Sequence, residues 1–171
     1  MIKLKKPTAR AQNEEVEDKK TEDANAQSQD GKKKKSPGEI RVQKELMEID
    51  IPSYTAVNFP DANDVMTMQL TVDLSKEQCH WRGGKYLFTI EVGPNYPHDP
   101  PKVRCNTQIY HPNIDLEGHV CLNILRDDWR PVLGINAVML GLIFLFIEPN
   151  PNDPLNHEAA EVMRTNKTKF I

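Results

Sequence analysis

Cysteine is scarce in this chain. The three present, Cys79, Cys105 and Cys121, are odd in number and irregularly spaced, which excludes a disulfide framework. That usage fits a reducing compartment, so cytoplasm and nucleus are the expected locations. No Cys-x-x-Cys pair occurs, and no metal site is expected. A glycine-rich phosphate loop is also missing, so no bound nucleotide or other cofactor is expected. The N-terminus, Met1-Ile2-Lys3-Leu4-Lys5-Lys6, lacks the apolar core of a signal peptide. A formal net charge of −3 gives no support to nucleic-acid binding. The longest apolar run, Val132 to Ile147, is broken by Gly134, Asn136 and Gly141. It falls short of the ~18–20 residues a membrane span requires. A helix buried in the core of a soluble domain, away from any membrane, is the expectation for it.

What the chain does have divides into a tail and one domain of ordinary size. Residues Met1 to Lys35 are rich in Lys, Glu, Asp, Gln and Asn and contain no aromatic residue. Such a segment buries too little apolar surface to offset its ordering entropy, and disorder is expected. The basic run Lys32 to Lys35 reads as solvated linker. The domain, 36–171, opens with Ser36-Pro37-Gly38-Glu39, the pattern of a capping box with proline in the first turn. Val42, Leu46 and Ile49 then form one apolar stripe, and Pro52 is expected to stop the helix.

Period-two alternation follows. Met66, Met68, Leu70 and Val72 alternate with polar residues; Tyr86, Phe88, Ile90 and Val92 do so after the Gly83-Gly84 turn. Lys102 to Cys105 and the weaker stretch Ala56 to Phe59 bring the count to four strands in series. An α+β fold is expected, a four-stranded antiparallel meander flanked by helices. The apolar helix begins near Ile135 with Gly134 as its N-cap. A last helix begins at Asn156 and runs towards Ile171.

The candidate chemistry centres on Cys121. Cys105 shares a strand face with Val103 and reads as a core thiol, and Cys79 stands in a loop with no ligand set around it. Cys121 follows the tight turn Glu117-Gly118-His119 and precedes a short helix-like stretch, Leu122 to Leu125. A cysteine that carries an acyl group needs an exposed thiol and a donor for the oxyanion formed when its thioester is attacked. Asn113, in His111-Pro112-Asn113, can supply that donor. A cysteine hydrolase would need His111 or His119 against the thiol. His111 precedes a proline and His119 lies on the turn, so neither is well placed, and no oxyanion turn rich in glycine is present. Further on, Pro149-Asn150-Pro151-Asn152-Asp153-Pro154-Leu155 is stiffened by its prolines. It can present the Asp153 carboxylate, since Asn156 is free to cap the helix.

Four segments together resemble the ubiquitin-conjugating enzymes over Ser36 to Ile171. They are Tyr96-Pro97-His98-Asp99-Pro100-Pro101, His111-Pro112-Asn113 with Cys121, Trp129-Arg130-Pro131, and Pro149 to Leu155. The resemblance implies a carrier. Cys121 takes a ubiquitin-like modifier as a thioester from a heterodimeric activating enzyme, which uses the ATP, and gives it to a substrate lysine. It implies a structural role for His111 and Pro112, an oxyanion role for Asn113, and a lysine-gate role for Asp153. It also implies that Arg41 and Lys44 meet the activating enzyme, and that Pro97, His98, Arg130 and Pro131 meet a RING-type ligase. Some members of the family lack the cysteine and act as scaffolds; this chain keeps Cys121, Asn113 and Asp153 together.

Two features are similar to the branch that conjugates the Nedd/Rub-type modifier to cullins. One is the run Tyr110 to Leu125 continuing into Asp127-Asp128-Trp129-Arg130-Pro131, with Glu148-Pro149-Asn150-Pro151 beyond. The other is the start Met1-Ile2-Lys3-Leu4, which in that branch, acetylated on Met1, inserts Met1, Ile2 and Leu4 into a co-ligase. Ubiquitin itself is the alternative modifier. After Leu4 the chain has Lys5-Lys6-Pro7 where that branch carries a bulky aromatic, so docking of the tail on the activating enzyme is not implied. Family members usually run on past the position of Ile171, and a short last helix is expected.

Overall fold

A computed structural model describes residues 35–166. The expected tail with Met1, Ile2 and Leu4, and the last residues 167–171, lie outside them. Helix α1 spans Pro37–Met47, and strands β1 to β4 span Thr55–Asn58, Thr67–Asp73, Lys85–Glu91 and Lys102–Cys105. A 3-10 turn, Asn123–Leu125, leads to α2, Gly134–Ile147, and α3, His157–Thr165.

The start of α1 is the reciprocal cap expected from its residues. Ser36 Oγ accepts from Glu39 N at 3.1 Å, and Glu39 Oε2 accepts from Ser36 N at 2.6 Å. The helix ends at Met47, ahead of Pro52. The departing chain is held instead by Asn136 of α2, whose Oδ1 accepts from Asp50 N at 3.1 Å.

The four strands form one antiparallel sheet in the order β1-β2-β3-β4. Leu70 lies opposite Phe88 and Met68 opposite Ile90, and all four are fully buried. Alternation along β2 and β3 puts these apolar residues on one face, where α2 covers them. Phe146 of α2 packs on Tyr86 and Phe88 with ring centroids 5.0 and 6.0 Å away.

Two expectations about α2 are corrected. Its burial is one-sided: Ile135, Val138, Met139, Leu142, Ile143 and Phe146 are buried, but Leu140, Phe144 and Ile147 are exposed. No helix among the described residues is long and apolar enough to cross a membrane. Gly134 is the first helical residue rather than the N-cap, and Leu133 in the cap position makes no side-chain cap. The cap comes from α1, where Glu45 Oε2 accepts from Ile135 N at 2.9 Å. Gly134 has φ +70, and a Cβ there would stand 3.1–3.2 Å from the Glu45 carboxylate. Glycine serves because the backbone is left-handed and the Glu45 carboxylate lies against it.

Candidate active site

Beyond β4 the chain folds back on the sheet edge in a small hairpin, with bridges between Arg104 and His119 and between Ile114 and Val120. Gly118 closes it at φ +88, where a Cβ would collide with the Cys105 carbonyl. Cys105 N donates to Gly118 O at 2.8 Å. Asp115 organises the turn, its Oδ1 accepting from Glu117 N and His119 N at 2.9 and 2.8 Å. The hairpin then returns Cys121 to Asn113, with Cys121 N donating to Asn113 O at 2.8 Å.

His111 lies beneath this turn, fully buried and stacked on Trp81 at 4.2 Å. Its Nδ1 accepts from Asn113 N at 2.9 Å, so Nε2 carries the proton and donates to Leu145 O at 3.0 Å. Burial pushes its pKa down to about 4, with the Leu145 bond opposing. Both ring nitrogens are used, one within the loop and one on α2. His119 turns to Asp115, with Nδ1 2.7 Å from Oδ2. Neither histidine faces the thiol, which removes the base a cysteine hydrolase requires.

Asn113 is buried, and its carboxamide ties the hairpin to the proline-rich loop. Nδ2 donates to Asn150 O at 2.8 Å and to Asp153 O at 3.3 Å, while Oδ1 accepts from Asn150 N at 2.8 Å. Pro112 O adds two more bonds, accepting from Leu155 N and Asn156 N at 2.8 and 3.0 Å. Residue pattern alone gives Asn113 a free amide aimed at an oxyanion. Here the amide is engaged with the loop that carries Asp153.

Asn156 caps α3, its Oδ1 accepting from Ala159 N at 3.0 Å. The Asp153 carboxylate is therefore not needed as a cap. Its Oδ2 lies 3.6 Å from the Cys121 sulfur, which donates to it as a thiol. Cys121 is only 7% exposed, less open than an acyl carrier's thiol is expected to be. Burial raises its pKa, Arg126 lowers it, and Asp153 raises it. Arg126 is the residue that motif reading missed. Its Nη2 donates to the Cys121 sulfur and stands 3.3 Å from Asp153 Oδ2. The signal was a lone arginine shortly after Cys121 and just before Asp127-Asp128.

The described residues assigned to partners gather on one side. Trp129 Nε1 donates to Pro97 O at 2.9 Å, which brings Pro97 and His98 beside Arg130 and Pro131. Arg41 donates to Glu45 Oε1 and to Pro131 O at 2.7 and 2.6 Å, so its guanidinium is half-spent within the fold. Lys44, His98, Arg130 and Pro131 are exposed. Among the described residues, Asp115, Glu117 and His119 bring possible metal-ligating atoms within 4.8 Å of one another, in an exposed turn whose bonds they already satisfy.

Cys121, Asp153 and Arg126 thus meet at one site centred on a thiol, where the loops that Asn113 joins come together. The chain belongs to the ubiquitin-conjugating enzymes: the model of that family matches residues 41–171. It is 54% identical to the Nedd8-conjugating enzyme UbcE2M of Drosophila melanogaster over 138 residues, 81% of this chain and 75% of that one. It is 51% identical to the NEDD8-conjugating enzyme UBC12 of Yarrowia lipolytica over 145 residues, 85% of this chain and 80% of that one. The solved structure of S. cerevisiae Ubc12 superposes with a TM-score of 0.72 at 40% identity, covering 79% of this chain and 75% of that one.

Proposed function

We propose that this enzyme takes a NEDD8-type modifier from its activating enzyme as a thioester on Cys121 and transfers it to lysines of cullin-type substrates. The observation that carries the chemistry is the approach of the Asp153 carboxylate to the Cys121 sulfur at 3.6 Å. Identity above 50% to two NEDD8-conjugating enzymes, over four-fifths of the chain, supports the choice of modifier.

Acceptance is an exchange of thioesters. The Cys121 sulfur attacks the modifier's terminal carbonyl carbon, and the activating enzyme's cysteine leaves as a thiolate. ATP is consumed by that partner, not here. In the second step a lysine amine attacks the carbonyl carbon of the new thioester. The C–N bond forms as the C–S bond breaks, and the Cys121 sulfur leaves with the electron pair and is reprotonated by the proton the amine gives up. A free lysine has a pKa near 10.4 and is almost wholly charged at neutral pH, so it must lose a proton at the cleft. Asp153 orients the amine, and desolvation at the closing interface lowers its pKa. Asn113 holds the loop that positions Asp153. Its longer bond, to Asp153 O, is the one whose N–H turns to the oxyanion as the tetrahedral intermediate forms. No cofactor takes part.

Lys44 and Arg41 on α1 face the activating enzyme, and Pro97, His98, Arg130 and Pro131 form the seat for a RING-type ligase. Met1, Ile2 and Leu4 dock on a co-ligase. Cytoplasm and nucleus are the proposed locations. The test is charging of the purified chain by the NEDD8-activating and ubiquitin-activating enzymes, each with ATP and its modifier. A reducible adduct with NEDD8 alone is expected. An adduct with ubiquitin alone reassigns the modifier, and none with either overturns the carrier.

A further inference from the structure

We propose that Arg126 is a catalytic residue of the acceptance step: its guanidinium, anchored on Asp153, stabilises the thiolate that Cys121 must form to attack the incoming thioester. The inference rests on the reading that Cys121 carries the modifier.

Three groups from three segments meet at the sulfur. Cys121 ends the hairpin, Arg126 follows the 3-10 turn, and Asp153 comes from the loop before α3. Arg126 Nη2 donates to the sulfur and lies 3.3 Å from Asp153 Oδ2, which is itself 3.6 Å from the sulfur. The remaining titratable groups nearby are directed elsewhere: His111 to Leu145 O, and His119 to Asp115. The sulfur therefore faces one cation and one anion.

Those two charges have opposite tasks. Transthioesterification requires the thiolate, because the thiol is a poor nucleophile. Burial and the Asp153 carboxylate both oppose ionisation of Cys121, and Arg126 favours it. Asp153 serves lysine transfer, yet taken alone it handicaps acceptance. A guanidinium bridging both groups offsets that handicap. Once the acyl group is on the sulfur no thiolate remains to bind, and Arg126 is left with Asp153. The C–S bond to Cys121 forms as the C–S bond to the activating enzyme breaks. The electron pair leaves with that enzyme's sulfur, and no oxidant or further reactant is needed.

The experiment follows alkylation of Cys121 by iodoacetamide against pH in the full chain, read by mass spectrometry of the Cys121 peptide, beside charging by the NEDD8-activating enzyme. In Arg126→Gln the alkylation midpoint should rise by about one pH unit, the low end for loss of a close opposite charge. Charging at neutral pH should slow about tenfold, as one unit of thiolate pKa implies, and recover at higher pH. Arg126→Lys should restore most of both, and Asp153→Asn should lower the midpoint. In Asp153→Asn, where Arg126 is the charge left facing the sulfur, ~1 M salt should raise the midpoint, since the Debye length there is only ~3 Å. That arm decides the matter if Arg126→Gln fails to fold. A wild-type chain that charges while the Arg126→Gln midpoint stays in place, or a salt-independent midpoint in Asp153→Asn, overturns the role of Arg126. Failure of the wild type to charge overturns the carrier reading, and this role with it.

Discussion

Asn113 and Asn150 exchange a reciprocal pair of hydrogen bonds, each 2.8 Å long: the Asn113 amide donates to Asn150 O, and Asn150 N donates to Asn113 Oδ1. The side chain of Asn113 thus pairs with the backbone of residue 150 as a neighbouring strand would. It makes the loop before α3 a continuation of the hairpin that bears Cys121.

Removing that pairing should cost stability as well as rate. Asn113→Ala leaves Asn150 N and the Asn150 carbonyl without this partner, a loss of about 2–3 kcal/mol. Urea denaturation should show it. Discharge of the charged variant to lysine should slow at least ~100-fold per folded molecule, the usual cost of an oxyanion donor. Lost stability with unchanged discharge would leave Asn113 as a strut alone.

The three thiols should separate cleanly. Cys121→Ser is expected to trap the modifier as an oxyester that survives reducing agent, whereas Cys79→Ser and Cys105→Ser still form reducible thioesters. Cys105 lies in the core opposite Phe88 and donates to Thr107 O at 3.2 Å, well suited to packing and not to carrying a group. Gel analysis with and without reductant reads all three. Loss of charging in a folded Cys105→Ser protein would contradict the assignment.

His111 predicts a pH dependence. In the unfolded chain it titrates near 6.5, and in the native state burial keeps it neutral down to about 4. Between those values the unfolded state binds the proton and the native state does not. Stability therefore falls as pH drops from about 6.5 to about 4, by about 3 kcal/mol in all, and this contribution levels off below that. The lowered Asp73 and Asp115 carboxylates lose their contribution only below the ordinary carboxylate range. Urea midpoints measured between pH 4.5 and 7 should slope in the wild type and flatten in His111→Asn, from a lower starting value.

Glu45 should prove costlier to remove than a surface helix residue. One oxygen accepts from Arg41 Nε at 2.7 Å, and the other takes Ile135 N at 2.9 Å together with the Tyr96 hydroxyl. Burial pushes the Tyr96 pKa well above its usual value, and Glu45 adds to the rise, so the phenol remains a donor. Glu45→Ala strips three donors of their acceptor and should destabilise by about 2–4 kcal/mol in thermal or urea unfolding. An effect below ~0.5 kcal/mol, the ordinary surface range, would count against this bridge between α1 and α2.

The tail prediction concerns residues outside the described structure. Ile2 and Leu4 are apolar in a charged segment, and burying each in a partner's pocket contributes ~1.5–3 kcal/mol. N-terminal acetylation removes the charge that opposes burial of Met1. A peptide of Met1 to Gln12 acetylated at Met1 should bind a cullin co-ligase much more tightly than the free amine. Ile2→Ala or Leu4→Ala should weaken it, with Lys5 and Lys6 contributing only a salt-dependent term. Calorimetry on the peptides decides it, and equal affinity with and without the acetyl group would reduce the tail to linker.

By itself the sequence determined whatever depends on neighbours a few positions away. The Ser36 and Glu39 cap, the two-residue alternation of Met68, Leu70, Phe88 and Ile90, and the Asn156 cap are all encoded within one turn or one strand. The spacing of His111, Asn113 and Cys121 is a single loop, so it too was legible; the transfer chemistry came from its resemblance to the ubiquitin-conjugating enzymes. Tertiary structure decided the contacts between distant segments. Periodicity carries no information about which carboxylate will reach Ile135 N, and Glu45 does so across α1 and α2. The same holds for the one-sided exposure of α2, for the engagement of the Asn113 amide with Asn150 and Asp153, and for the meeting of Arg126 with Cys121 and Asp153. Each depends on where the hairpin and the proline-rich loop come to rest, which the hydrophobic packing of the whole domain sets.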